Sequence, residues 1–87
     1  MTSVALAVYL GAIVALPFEG HPFRVLLRCR SEALAWHGRL IFIDPQGRTR
    51  SEPIEAFHGG SVADVLSQAL ALSDRSLARR LRQALSN

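Results

Sequence analysis

Between Trp36 and Arg50 the chain reads WHGRLIFIDPQGRTR, and no other stretch limits the fold as much. Leu40 to Ile43 is a run of large apolar residues that includes two β-branched isoleucines. It is short and is bounded by turn residues, so it reads as a strand and not as a helix. Asp44-Pro45-Gln46-Gly47 supplies the needs of a type I turn: Asp at the first position, Pro presetting φ at the second, Gly closing it. The chain therefore reverses. Arg48-Thr49-Arg50-Ser51 returns beside the Leu40 to Ile43 strand, and Pro53 limits how far the pairing runs.

The segment before this hairpin alternates cleanly. In Phe23 to Arg30, Phe23, Val25, Leu27 and Cys29 share one face, and Arg24, Leu26, Arg28 and Arg30 share the other. Along the next strand Trp36, Gly38, Leu40 and Phe42 have one parity and His37, Arg39, Ile41 and Ile43 the other. Both faces are apolar near the turn, as in a central strand. Arg48, Arg50 and Glu52 share a parity on the return arm. The sheet is thus expected to present Arg24, Arg28, Arg30, Arg39, Arg48 and Arg50 on or near one face. That grouping depends on register, because a slip of one residue moves a whole side-chain set to the other face.

Val4 to Phe18 carries no charge. It falls short of the about 20 apolar residues that span a bilayer. It also lacks the basic flank and the small-residue cleavage site of an export signal, so it is expected to be core. Ala12 to Phe18 reads as a strand, while Val4 to Leu10 fits either a strand or a short helix. Glu19-Gly20-His21-Pro22 reads as a tight connection. Ser31 to Ala35 is open between a loop and one helical turn.

His58-Gly59-Gly60-Ser61 closes the β part. Ser61 is a good N-cap with Asp64 three residues on, and Val62, Val65, Leu66, Ala69 and Leu70 recur at helical spacing. A break is expected near Ser73-Asp74, followed by a segment built on Leu77, Leu81 and Ala84. The fold class that follows is α+β over a single domain, residues 1–87: an antiparallel three- to four-stranded meander (Ala12 to Phe18, Phe23 to Arg30, Trp36 to Asp44, Arg48 to Ile54), then one or two C-terminal helices packed on one face. This order of strands and an Ala/Leu-rich helix resembles small bacterial antitoxin and adaptor modules, a resemblance of element order that carries no residue role across.

For function, the chemistry-bearing residues form no catalytic pattern, and the chain is expected not to be an enzyme. His21, His37 and His58 lack metal-ligand spacing, and no Walker or G-x-G-x-x-G motif occurs. Cys29, the sole cysteine, is expected to be an inert core thiol in a reducing, cytoplasmic setting. No cofactor, metal or small-molecule substrate is implied. Every one of the basic residues behind the net charge of +3 is arginine, the side chain suited to bidentate contacts. The expected partner surface is Arg24, Arg28, Arg30, Arg39, Ile41, Arg48 and Arg50, with Trp36 and Ile43 as further anchors. A protein partner or a second copy comes first, which makes the chain a small protein-binding or adaptor module. A nucleic-acid backbone is the alternative, and a membrane is disfavoured.

Overall fold

The computed structural model describes residues 8–86 and shows an α+β fold. The order is β1 (Val8–Phe18), β2 (His21–Glu32), β3 (Ala35–Ile43), β4 (Thr49–Ser51), β5 (Phe57–Gly59), α1 (Val62–Leu70) and α2 (Asp74–Ser86). The strands form one antiparallel sheet in the order β1-β2-β3-β4. β5 pairs with β3 as well, against Trp36 to Gly38, while β4 pairs with Ile41 to Ile43. The two short strands therefore lie end to end along the same edge of β3.

Several boundaries differ from the sequence reading, each for a local reason. The first strand begins by Val8 and runs straight through Gly11, so Val8 to Leu10 is strand; positions 4–7 of that ambiguous run lie outside the described residues. Ser31 to Ala35 is neither a loop nor a helical turn but a tight hairpin connection at Ala33-Leu34. Both residues are left-handed (φ 51° and 65°), a conformation that costs a non-glycine residue roughly 1–2 kcal/mol. The return arm pairs over Thr49–Ser51 only, because at Glu52 the chain leaves the ladder ahead of Pro53. Of the His58-Gly59-Gly60-Ser61 stretch read as closing the β part, His58 and Gly59 join Phe57 in a short strand of their own.

The turn and the helix starts match their chemistry. Asp44 Oδ1 accepts from the backbone N–H groups of Gln46 and Arg48 at 2.9 Å, and Gly47 takes φ 85°. Ser61 Oγ accepts from Asp64 N at 3.2 Å, and Asp64 Oδ2 accepts from Gly60 N at 3.1 Å, a reciprocal cap. The chain breaks between Leu70 and Asp74, and Ser73 Oγ receives the Ser76 N–H at the head of α2.

Both helices cover the same face of the sheet. Leu16, Phe18, Phe23, Val25, Leu27, Cys29, Leu40, Phe42 and Phe57 meet Val65, Ala69, Leu77, Leu81 and Ala84 in one core. Gly38 permits the close approach of α1, since a Cβ there would stand 2.6 Å from Val65 Cγ1. Trp36 packs against this core too.

A buried carboxylate fixes the second helix. Glu52 Oε1 accepts the Leu40 N–H at 3.0 Å, and the Glu52 N–H donates to Leu40 O at 3.0 Å, so a side chain continues the ladder where β4 has ended. Arg80 of α2 donates to both carboxylate oxygens, at 2.7 and 3.1 Å, while its guanidinium lies 4.6 Å from the Phe57 ring centroid. Replacing Glu52 with Ala strands both the guanidinium and the Leu40 N–H, for an expected loss of about 3–5 kcal/mol. Glu52→Gln, which still offers Leu40 an acceptor, should lose clearly less. Urea unfolding of the two variants checks this, and an Ala variant within about 1 kcal/mol of wild type would contradict the clamp.

Candidate functional site

The register assigns the face opposite the helices row by row across the sheet. Ala15, Arg24, Ile43 and Thr49 form one row, and Ala12, Leu26, Ile41 and Ser51 the next. Leu10, Arg28 and Arg39 follow, then Val8, Arg30, His37 and His58. None of these residues belongs to the core. The face is therefore an apolar band of Ala12, Leu26 and Ile41 with guanidinium groups on either side, extended toward β1 by the exposed Leu10 and Val8.

Not all the expected arginines are there. Arg24, Arg28, Arg30 and Arg39 share the face with Ile41 and Ile43. Arg50 stands opposite Phe42 and so points to the helix side of the sheet edge. Arg48 stays in the turn, where its Nε donates to Asp44 Oδ2 at 2.8 Å and its Nη2 to Gln46 Oε1 at 2.7 Å. Trp36 also belongs to the helix side, opposite Gly59. Arg50 and Glu52 do keep a common parity, but the length of the Asp44–Arg48 turn sends them to the covered face.

The remaining arginines differ in how far their charge is already matched. Arg30 is neutralised from within: its Nε and Nη2 donate to the Glu55 carboxylate at 2.7 and 2.6 Å, and its Nη1 to Glu32 at 2.8 Å. These bonds raise the Arg30 guanidinium further above its ordinary range and hold the Glu55 and Glu32 carboxyls below theirs. Arg39 donates to the Glu52 carbonyl at 3.2 Å and feels the Glu55 charge. Among the described residues, no carboxylate hydrogen-bonds Arg24 or Arg28. Arg28 and Arg39 stand directly opposite each other, a placement that is unfavourable for like charges on neighbouring strands.

Sequence spacing gave no hint that His37 and His58 meet. The β3–β5 pairing sets them opposite each other with Nδ1 atoms 2.8 Å apart, so one ring donates to the other. Among the described residues no group of three or more His, Cys, Asp or Glu side chains could hold a metal, and this pair has no further ligand. Cys29 is fully buried on the helix side, and that burial pushes its thiol up. Among the described residues no helix is long and apolar enough to cross a membrane. No protein-family model matches the chain, and no curated protein or solved structure matches it.

The Arg30 cluster sets a pH dependence. Glu55 and Glu32 have folded-state pKa values below their unfolded ones, so in acid the unfolded chain binds more protons and stability rises with pH. Their contribution is complete above about pH 4.5 and is lost as the pH falls through the lowered folded values. Arg30→Met should flatten this acid limb in pH-dependent thermal melts, and an unchanged limb would show that the ion pairs do not form in solution.

Proposed function

We propose that this chain is a small non-catalytic protein-binding module, and that the uncovered sheet face receives a partner bearing apolar side chains and at least one carboxylate. The observation that carries this reading is the Arg28–Arg39 pair: the two arginines stand opposite each other on neighbouring strands beside the Leu26–Ile41 band, where a partner's carboxylate reaching both would convert repulsion into charge-assisted hydrogen bonds. Arginine beside half-buried aliphatic groups is the composition of an interface centre. Arg24 and Ile43, in an outer row, extend the surface toward the turn.

A nucleic-acid backbone is the second reading, favoured by the lack of a hydrogen-bonding carboxylate at Arg24 and Arg28 among the described residues. Beyond the His37 and His58 rings the face offers such a ligand no aromatic stacking platform, since among the described residues Tyr9, Trp36 and the phenylalanines lie in or against the core. The two readings separate by salt: phosphate contacts give affinity that falls steeply with ionic strength.

Arg28→Glu tests the proposal. It replaces a like-charge cross-strand pair by an opposite-charge one, so stability should hold or rise by about 0.2–1 kcal/mol. Capture of the native partner from extract should fall at least about tenfold, because the reversed charge now faces the partner's acid. If the variant retains every protein that wild type retains, the face is not the binding surface.

A further inference from the structure

We infer that the outer edge of β1 pairs with the same edge of a second copy over Val8–Ala12, about a two-fold axis at Leu10, so that two sheets become one. This contact runs along the backbone of the β1 edge and borders the partner face, whose charged centre at Arg28 and Arg39 lies one and two strands further in.

The backbone supplies the first argument. Leu40 gives both its N–H and its C=O to Glu52, on the side of β3 away from β2. Alternation along antiparallel strands then fixes the directions on β2: Arg28 and Leu26 turn their backbone groups to β3, and Leu27 and Cys29 turn theirs to β1. On β1, Val8, Leu10 and Ala12 stand opposite Arg30, Arg28 and Leu26, so their N–H and C=O groups point outward from the sheet. The Pro17–Pro22 pair agrees, because it falls in the same class of position, where a missing N–H breaks no ladder bond.

Side chains supply the second. From Val8 to Leu16 the edge carries neither a charge nor a proline, the devices that keep edge strands apart. The opposite edge has both: it is divided between two three-residue strands, carries Arg48 and Arg50, and is interrupted at Pro53. Val8 and Leu10 are 50% and 58% exposed at the β1 edge. The bulge between Ala12 and Val14 bends the strand and ends regular pairing at Ala12.

The occupant is a second copy because the segment complements its own reverse. With the axis at Leu10, Val8 stands opposite the second copy's Ala12, large against small, and Leu10 opposite Leu10. Charge agrees as well. Stacking two copies face to face would oppose Arg28 and Arg39 to themselves. Edge pairing instead separates the two Arg28 positions by three strand spacings, about 14 Å, beyond the Debye length of about 8 Å at physiological salt. The dimer would carry two partner faces side by side on one continuous surface.

Sedimentation velocity of the full chain over a concentration series tests this. Wild type is expected to pass from monomer to dimer. Ala12→Pro removes one outward N–H but no β1–β2 bond, and Leu10→Arg places a charge on the axis; each should weaken self-association at least tenfold. Leu10→Cys should form a disulfide-linked dimer under mild oxidation, since paired positions on the axis stand within disulfide reach and Cys29 is buried. A chain that stays monomeric throughout, or a dimer that Leu10→Arg leaves intact, overturns the inference. Arg28→Glu should leave self-association unchanged while weakening partner capture, so the two surfaces fail or stand separately.

Discussion

The fold turns on the Glu52 carboxylate. At that residue the chain leaves the edge of β3 with only three residues of β4 paired, and the Leu40 N–H would face the interior unmatched. The side chain takes over the role of the missing backbone acceptor and holds Arg80, which in turn lies against Phe57 of β5. One buried ion pair thus ties the end of β4, the centre of β3, β5 and α2 together. Breaking it by truncating one partner leaves a buried charge alone, which is the costly way to lose such a pair.

The clamp also decides which side of the sheet is covered. With α2 drawn onto the Leu40–Phe42 side and α1 seated on Gly38, the buried apolar residues of both helices are spent on one face. On the other face Leu26, Ile41, Ile43, Val8 and Leu10 have no second layer over them among the described residues. Its rigidity comes from the core beneath, so the surface proposed for a partner is preformed and would add little ordering cost on binding. Arg30 is tied down by Glu55 and Glu32, whereas Arg28 and Arg39 oppose each other, a local disadvantage that the proposed carboxylate-bearing partner would relieve.

How much of this was legible in the sequence follows from the range of each cause. The alternation in Phe23 to Arg30, the Asp-Pro-Gln-Gly turn, the Ser61 cap and the break before Asp74 are local, and each has its expected structural counterpart. Register is not local. The parity that groups Arg50 with Glu52 places both on the helix side once Phe42 pairs with Arg50, while Arg48 stays in the turn. The β5 strand is three residues with a glycine and gains its identity only from β3, and with it the His37–His58 contact. The Ala33-Leu34 turn carries neither glycine nor asparagine, so tertiary pairing of two long strands imposes a backbone that the residues do not announce.

The central claim, that one face of the sheet is bare in solution, is tested most directly by methyl relaxation enhancement from an inert soluble paramagnetic probe. The account predicts strong enhancement at Leu26, Ile41, Ile43 and Leu10, and little at Val25, Leu27, Leu40 and Val65, which are fully buried. If the Leu26 and Ile41 methyls are as protected as those of Leu27 and Leu40, the face is already covered and cannot be the partner surface.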